Sequence, residues 1–489
     1  MIKRSLIVTH RWLGVAFWLF FLIWFPSGIG MMYWDFPSVS AEDRLERSPG
    51  LDRSAIRTSP AQALTALGLS QPDQIRLNMF DGRPVYRVRS GRLEHLAYAD
   101  TGATQNEIST DLMARVASAW AGQSASTATI EPIDVDQWTV QGSFRVLRPL
   151  WKYSWADGEQ VYVSQATGEV VQYTTRASRL GAWLGPIPHW LYFTPLRKHQ
   201  LAWSRVVIWS SGIGTGAAIL GLAIGVWMYS PAKRYRSATG ATSIPYRGQK
   251  RWHMVLGLVF GLGAATWAFS GMLSMDPFPL GGARRGERDG IQAALRGGVH
   301  VSALDANPRD ALERLQNEPV KELELTSFDG EPVYIATLGH RDTRIVTVDG
   351  RILTTFDREQ IRRLVMTAAG PSGLAELGEL TAYDWYYLDR HRTRPLPVIL
   401  ARMNDAEHTR YYIDPRTARI VGSYSSRSWM SRWLYHGLHS LDAPWLYNHR
   451  PAWDIVVITF MLGGSALAVT SLILAWRVVG KTLSRTGDG

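Results

Sequence analysis

Histidine is the residue type whose placement in this 489-residue chain most strongly suggests chemistry. Neutral imidazole binds metal ions, and the ring also takes up and releases protons near neutral pH. Of the twelve histidines, six form three pairs whose members occupy matching places in the two halves of the sequence: His10 and His253, His189 and His439, and His199 and His449. This pairing predicts sites that one histidine from each half completes.

The first pair lies on a helix face that both halves share. At an offset of 243 residues the positions after each histidine match at Gly14/Gly257, Phe17/Phe260, Trp24/Trp267, Ser27/Ser270 and Gly28/Gly271. Most of these spacings fall within about 40° of one line on an α-helix. Glycine lets a flat macrocycle approach the backbone and aromatic rings cover its apolar face, so we interpret His10 and His253 as axial ligands of a haem. A zinc site would need further Cys, His or carboxylate ligands, which the sequence does not provide at this depth.

The other two pairs lie in aromatic-rich segments before the second and fourth apolar runs. His189 and His439 are placed to hold a second haem near the outer surface. His436, one helical turn before His439, is a competing ligand or a hydrogen-bond donor to the ligand. His199 and His449 stand beside basic and polar residues, for which an interfacial anchoring role is the better interpretation. They are the second choice for the histidine ligands of a haem.

Four apolar runs must position these histidines. They span residues 13–32, 206–229, 254–275 and 455–476 and contain no charge. Each has about 20 or more residues, enough to cross a hydrocarbon core of about 30 Å. The first run is too long for a signal-peptide core and lacks a cleavage pattern, so we expect it to be retained.

The basic excess of the chain indicates its orientation. Segments 1–11, 231–251 and 477–489 carry twelve Lys or Arg residues and one acid, which equals the net charge of the whole chain, +11. If the runs alternate in direction, these segments share one side, which the positive-inside rule identifies as cytoplasmic. We therefore expect a bacterial inner-membrane protein with cytoplasmic termini and large periplasmic domains, and no nucleic acid partner. The chain has no cysteine, which excludes disulfides, cysteine-ligated iron–sulfur clusters and covalently attached haem.

The apolar runs and the segments between them repeat. The second and fourth runs match at an offset of 250, and in the outer segments residues 81–86 match 329–334. Each outer segment has a short helix that starts with proline, at Pro60 or Pro308, and then strands joined by an Asp-Gly turn. The predicted fold is a membrane α+β protein with four transmembrane helices, arranged as two tandem helix–outer domain–helix repeats.

The predicted segments follow one another without gaps. They are transmembrane helix 1 at 1–34, a periplasmic α+β domain at 35–180, an interfacial segment and helix 2 at 181–230, a basic cytoplasmic loop at 231–251, helix 3 at 252–276, a second periplasmic domain at 277–427, an interfacial segment and helix 4 at 428–478, and a cytoplasmic tail at 479–489.

The chain resembles the PepSY-associated transmembrane helix family over nearly its whole length. The shared features are His-x3-Gly openings and Ser-Gly endings of the first and third helices, twin outer modules, and Trp-x5-His before the second and fourth helices. The family includes inner-membrane ferric-siderophore reductases that bind haem b, usually encoded with iron-uptake systems. The resemblance implies PepSY-like outer domains and two haem b groups ligated by His10, His253, His189 and His439.

The function implied by the resemblance is electron transfer through the membrane to a periplasmic ferric siderophore. Reduction to Fe(II) weakens the hold of hard oxygen ligands and releases the iron. No flavin or nicotinamide module is visible, so the electron donor is expected to be a membrane quinol or a cytoplasmic reductase. The alternatives are a non-redox PepSY binding or regulatory protein, and a transporter, although no acidic residue lies within a span to relay ions.

Two surface segments are candidates for docking the ferric chelate. One comprises Asp384-Trp385-Tyr386-Tyr387 with Arg390, Arg392 and Arg394, and the other is Trp151-Lys152-Tyr153. An ordinary solvated surface is the simpler interpretation of both segments.

Overall fold

A computed structural model describes residues 1–91, 93–105, 107–237, 240–277, 285–298, 306–370, 373–389 and 391–486. Only the backbone is described at 237, 285–289, 430 and 481–486.

The described helices differ widely in length. In chain order they are α1 (Ile2–Gly30), α2 (Ala41–Arg47), α3 (Pro60–Leu67), α4 (Thr110–Ala121), α5 (Arg176–Leu184), α6 (Pro186–Trp190), α7 (Thr194–Arg197), α8 (Gln200–Met228), α9 (Gln249–Leu273), α10 (Arg285–Leu295), α11 (Pro308–Arg314), α12 (Arg358–Ala369), α13 (Leu438–Ser440), α14 (Pro444–Tyr447) and α15 (Ala452–Thr486). Short 3-10 helices occur at Arg53–Ala55, Ala125–Thr127, Gly142–Leu147 and Ser426–Ser428, and a π-helix at Met430–Gly437.

Among these, α1, α8, α9 and α15 are long and apolar enough to cross a membrane. The prediction of four membrane helices is thereby confirmed. Each helix begins several residues before its apolar run. In α1 the preceding residues include Lys3, Arg4 and Arg11, whose charges exclude them from the run but which are good helix formers.

The four membrane helices form a ring in which α1 and α9 lie opposite each other. Both helices pack on α8 and on α15. Glycines in α15 allow close packing, since a Cβ at Gly464 would lie 2.6 Å from the Phe25 ring of α1, and one at Gly463 would lie 2.4 Å from the Phe260 ring of α9. The arrangement directs one face of α1 and one face of α9 toward the middle of the ring.

The strands form antiparallel sheets outside the membrane helices. Their bounds are β1 (Gln74–Phe80), β2 (Arg83–Ser90), β3 (Leu93–Tyr98), β4 (Thr129–Ile133), β5 (Leu150–Ser154), β6 (Gln160–Ser164), β7 (Val170–Thr174), β8 (Tyr235–Ser237), β9 (Gly240–Thr242), β10 (Glu322–Phe328), β11 (Glu331–Gly339), β12 (Asp342–Thr347), β13 (Ile352–Leu353), β14 (Leu374–Leu380), β15 (Val398–Met403), β16 (Arg410–Asp414) and β17 (Arg419–Tyr424). A seven-stranded sheet has the order β13-β12-β11-β10-β1-β2-β3, and the two outer segments each add a four-stranded sheet, β4-β5-β6-β7 and β14-β15-β16-β17. Strands β8 and β9 form a hairpin in the loop between α8 and α9.

The local predictions for the outer segments agree with these elements. The helix predicted from Pro60 is α3, and the helix predicted from Pro308 is α11. The two Asp-Gly turns join β1 to β2 and β10 to β11, with both residues of each turn at positive φ. Positive φ at both central residues is the geometry that favours Asp-Gly in a two-residue hairpin.

The seven-stranded sheet joins the two outer segments, which the sequence did not predict. Strand β1 pairs with β10, so that Leu77 lies opposite Leu323 and Ile75 opposite Leu325. All four side chains are buried, so the seam is part of a common core rather than a contact between two separate surfaces. The outer segments are therefore held in one orientation relative to each other.

A buried ionic cluster lies beside this seam. Arg76 and Arg87 bind the Glu94 carboxylate at 2.8 and 2.9 Å, and Arg76 also lies 3.4 Å from Glu322 across the seam. Burial alone raises the pKa of Glu94, but the charges and hydrogen bonds of Arg87 and Arg76 outweigh it and leave that pKa below its ordinary value of 4.5.

Short elements connect the sheets to the ends of the membrane helices. Helix α6 packs on α1, while the π-helix Met430–Gly437 and α13 pack on α9. Helix α6 carries His189 and α13 carries His439, so the fold brings each of these histidines to the outer end of a membrane helix.

Candidate functional site: two histidine pairs

The first pair meets inside the membrane ring. The imidazole centroids of His10 on α1 and His253 on α9 lie 6.1 Å apart, with 39° between the ring planes. The Nδ1 atom of His10 is 3.2 Å from the carbonyl oxygen of Ala217 on α8. The Nδ1 atom of His253 is 3.1 Å from the hydroxyl of Thr470 on α15. Each ring is thus oriented by the membrane helix next to its own.

The second pair meets at the opposite end of the same helices. The centroids of His189 and His439 lie 5.9 Å apart, and the ring planes make an angle of 66°. His189 Nδ1 lies 3.1 Å from the Trp24 carbonyl and 3.2 Å from the Ser27 hydroxyl, both on α1. His439 Nδ1 lies 3.0 Å from the Ser270 hydroxyl on α9. Ser27 and Ser270 are the matching serines of the two halves.

These contacts determine which ring nitrogen carries the proton. A carbonyl oxygen only accepts, so His10 and His189 donate from Nδ1 to Ala217 and Trp24. The Thr470 and Ser270 hydroxyls donate to carbonyls within their own helices, at 2.7 and 3.1 Å, and are free to accept from Nδ1 of their histidines. In all four rings Nε2 is left with its lone pair, the form in which histidine binds a metal.

The outer pair is neutral at physiological pH. Burial lowers the pKa of His189 to about 4, against a smaller opposing effect of the hydrogen bond to Trp24. Burial also lowers the pKa of His439 to about 3, assisted by the proximity of His189. Neither ring is therefore protonated at pH 7, and neither loses its capacity to act as a ligand.

Glycines provide the space in which the rings lie. A Cβ at Gly221 of α8 would come 2.5 Å from Cε1 of His10 and 3.1 Å from its Nε2. Gly28 and Gly271 stand beside the outer pair, where an added Cβ would be 3.5 Å from His189 and 3.6 Å from His439. Gly14 follows His10 by about one helical turn, and an added Cβ there would have no atom within 4 Å, so the space beside it is open.

A cavity of about 270 Å³ adjoins the outer pair. Its walls combine both histidines with large aromatic and small side chains: Phe21, Trp24, Trp190, Trp203, Trp267 and Tyr435 on one hand, and Ser211, Ala264, Ala268 and Gly271 on the other. Ser27 follows His10 by seventeen residues, and Ser270 follows His253 by seventeen, so the two pairs are about 25 Å apart along the helices. One pair therefore lies near each end of the membrane span.

The remaining predicted histidines have other positions. His199 precedes α8, and His449 Nδ1 contacts the Trp445 carbonyl within its own segment. Both are exposed, and in the described part of the chain no ring contact joins them. His436 stacks on Tyr435 at 4.6 Å instead of forming a pair with a histidine.

The two predicted docking segments are only partly surfaces, which corrects the sequence interpretation. Tyr387 and Tyr153 are fully buried in the outer cores, and Asp384 caps a turn by accepting from the backbone of Tyr386 and Tyr387. The sequence does not reveal this because tyrosine has an apolar ring and a polar hydroxyl and occurs both in cores and at surfaces.

The other members of those segments are more accessible. Trp385 is 40% exposed, and Arg392 and Arg394 are exposed. In the first half Trp151 is partly buried, and Lys152 forms an ion pair with Glu131. Arg390 lies outside the described residues.

The sequence did not identify several residues that support the histidines. Thr470, Gly221 and the Ala217 carbonyl contact the inner pair, and Tyr435 lies 5.5 Å from the His439 ring. Of these residues only Gly221 belongs to a class that the sequence analysis considered, because it is one of many small residues in an apolar run. A hydroxyl or a carbonyl within a transmembrane helix is not marked by periodicity.

Comparison with known proteins places this architecture in a family. The profile described as the PepSY-associated TM region matches residues 7–322, which contain most of α1, all of α8 and α9, and the histidines at positions 10, 189 and 253. No curated protein matches the chain. Because the matched residues make up more than half of the sequence, the chain is a multi-pass membrane protein that belongs to the PepSY-associated TM region family.

Proposed function

We propose that this protein is a haem b reductase that carries electrons through the bacterial inner membrane to a ferric siderophore in the periplasm. The observation that carries the proposal is the shared geometry of the two histidine pairs. Their ring centroids are 6.1 and 5.9 Å apart, and Nδ1 of every ring is bound by the protein.

The separation of the rings fits an iron atom between them. Two metal–imidazole bonds of about 2 Å, plus about 1.1 Å from each nitrogen to its ring centre, require a centroid distance of about 6.2 Å. Among the described residues, no group of three or more His, Cys, Asp or Glu side chains is placed to hold a metal ion. A porphyrin would supply the remaining ligands of such an iron.

The surrounding residues support this assignment. Bound haem supplies a one-electron Fe(III)/Fe(II) couple. His10 with His253, and His189 with His439, would hold the haem iron through two histidines each, and bis-histidine ligation would favour electron transfer over oxygen chemistry. The hydroxyls and carbonyls that accept from Nδ1 hold each ring in orientation and raise its basicity. The aromatic walls of the outer cavity would give a bound haem apolar surroundings.

The orientation of the chain follows from its charges. With segments 1–11, 231–251 and 477–489 in the cytoplasm, the inner pair lies near the electron donor and the outer pair near the periplasm. The donor is a membrane quinol or a reduced cytoplasmic flavoprotein. The acceptor is the Fe(III) of an oxygen-ligated chelate, which gains one electron and is then held less tightly as Fe(II).

We further propose that the two halves arose by tandem duplication, with a PepSY-like outer domain in each. Matching residues make matching contacts: the Trp203 indole donates to the Trp190 carbonyl at 2.8 Å, and the Trp453 indole donates to the Ser440 carbonyl at 3.0 Å. Trp203 and Trp453 are 250 residues apart, and so are Trp190 and Ser440. Duplication explains why each ligand pair draws one histidine from each half.

The test is a re-oxidation experiment on the purified protein. Protein reduced with dithionite under nitrogen should show b-type absorption bands, and adding ferric citrate should return the spectrum to the oxidised form while Fe(II) accumulates. His439→Ala should remove the outer haem and slow this reaction, whereas His199→Ala should leave it unchanged. A colourless protein would overturn the proposal and favour a non-redox PepSY binding function.

A further inference from the structure

The two halves differ in the segment that carries the outer histidine. In the first half α5 ends at Leu184 and α6 begins at Pro186, but the second half has the π-helix Met430–Gly437 running directly into α13. At the offset of 250 residues, Tyr435 and His436 stand in place of Gly185 and Pro186. Single π-turns are rare and occur frequently at functional sites. The difference adds two reactive side chains to one half only.

These two side chains link the buried histidine to the surface. The Tyr435 ring lies 5.5 Å from the His439 ring and 4.6 Å from the His436 ring. Tyr435 lines the outer cavity, while His436 is solvent-exposed. Three contacting π-systems thus lead from the predicted iron ligand to the outside of the protein.

The surface around His436 carries positive charge. Arg392 and Arg394 are exposed. The pKa of His436 is lowered, first by the protein packed around its ring and then by the charges of Arg432 and Arg394, while Asp442 acts in the opposite direction. Arg394 therefore lies within electrostatic range of the exposed imidazole.

The nearby acids are already engaged by the protein. Asp389 accepts from the backbone amide and hydroxyl of Thr393 and from the backbone amide of Arg394, and Asp384 accepts from the backbone amides of Tyr386 and Tyr387. Asp442 is bound by Arg432 at 2.8 Å. The carboxylates of Asp384, Asp389 and Asp442 thus have other partners. The exposed guanidinium groups of Arg392 and Arg394, the latter 5.4 Å from the centre of the Tyr387 ring, give this surface positive charge.

The same surface is attached to the π-helix. The buried Arg432 of the π-helix donates to the Trp385 carbonyl as well as to Asp442. Trp385, 40% exposed, stacks on Trp433 with ring centroids 5.6 Å apart. Trp385, Trp433 and His436 therefore belong to one structural unit with His439.

The corresponding place in the first half is occupied by packed aromatic and backbone groups. Tyr192, next to the His189 segment, is covered by Phe36 at 5.7 Å and by Trp203 at 5.4 Å. The Arg197 guanidinium lies 4.8 Å above the same ring, and the backbone at Gly185 packs directly on Gly30 of α1. At the places of Tyr435 and His436 the first half has Gly185 and Pro186, which put no aromatic ring between His189 and the surface.

We propose that electrons leave the protein through the second half only, along His439, Tyr435 and His436, to an anionic, oxygen-ligated ferric chelate held by Arg392 and Arg394. This inference rests on the proposed function. The step is the transfer of one electron from the reduced haem at His439 to the Fe(III) of the chelate, which becomes Fe(II). No proton moves and no covalent bond forms. Arginine suits the role because its planar guanidinium binds carboxylate-type oxygens in pairs.

The first arm of the test measures binding to the oxidised protein, independently of any electron transfer. Equilibrium dialysis with the anionic Fe(III)–EDTA complex should give a Kd that rises about fivefold or more in the double variant Arg392→Gln/Arg394→Gln at low ionic strength. The difference should shrink with added salt. Binding of the neutral Fe(III)–tris(acetohydroxamate) complex should not change. The matched control is Arg176→Gln, which removes an exposed arginine from α5 in the first half.

The second arm measures electron transfer at saturating Fe(III)–EDTA after reduction with dithionite, which bypasses the natural donor. Tyr435→Leu breaks the chain of rings and should slow re-oxidation, whereas Tyr435→Phe retains the ring and should keep the native rate. His436→Gln should also slow the reaction, and His199→Gln, which changes an exposed histidine just before α8 in the first half, should not. Haem content and spectra of each variant show whether the fold and the ligation persist.

The outcomes separate this inference from the proposed function. Native binding and native rates in all of these variants, with both haems present and the chelate still reduced, would overturn the exit route and leave the reductase proposal standing. Equal slowing by first-half variants would also overturn it. Absence of haem from the native protein would overturn both.

Discussion

Substitution of Gly221 by alanine should remove the inner haem without unfolding the protein. The added Cβ would lie 2.5 Å from Cε1 of His10, whereas non-bonded carbon atoms stay about 3.5 Å apart, so the ring must retreat by about 1 Å. Metal–ligand bonds tolerate deviations of about 0.2 Å, so a displacement of this size breaks the bond to iron.

The energetic cost is small compared with the stability of a folded domain. Overpacking by one methyl group costs about 1–3 kcal/mol, and without bound iron the His10 side chain is free to rotate away at the lower end of this range. Gly216→Ala is the matched control, because it lies in the same helix and an added Cβ there has no atom within 4 Å. Both variants should insert and fold.

The assay is the haem content of both variants together with their reduced-minus-oxidised spectra. Gly221→Ala should lose one of two haems and keep the bands of the outer one, while Gly216→Ala should keep both. Two native haems in Gly221→Ala would refute the assignment of His10 as an iron ligand. It would also show that the glycine serves only helix packing.

Three further changes probe the supports of the site and of the outer sheet. Ser270→Ala removes the Nδ1 acceptor of His439 and should weaken outer haem binding about 10-fold to 100-fold, measured by titrating haem into the apoprotein. Asp442→Asn leaves the buried Arg432 without its carboxylate and should lower the free energy of unfolding by about 3 kcal/mol in denaturation experiments; an unchanged value would contradict the role of this ion pair. The pKa of Glu94 in the folded protein lies below 4.5, so its carboxylate stabilises the fold above pH 4.5, and this effect is lost as the pH falls through the folded pKa. Glu94→Gln should therefore lower the free energy of unfolding at pH 7 and make it depend less on pH in the acid range.

The membrane helices and the histidine positions were predictable from the sequence because both depend on local patterns. Uncharged length predicts a span, and a repeated offset predicts which residues are equivalent. The structure places His10 beside His253 and His189 beside His439, as the offsets 243 and 250 suggested. Their role as ligands stays a prediction.

The remaining features depend on long-range contacts that no local pattern records. The pairing of β1 with β10 is chosen by the packing of two sheet edges, and each strand alone would serve equally well at the edge of its own sheet. The carbonyl of Ala217 is available to His10 only because an adjacent glycine lets the ring approach α8. The π-helix has no sequence signature, so the asymmetry at Tyr435 and His436 was not visible beforehand.

The most direct test of the central claim is the haem-to-protein ratio of the purified chain, measured by pyridine haemochrome. A ratio of two is expected for the native protein and of one for His10→Ala and for His189→Ala, with different bands remaining in the two variants. A native protein without haem, or variants that retain both haems, would contradict it.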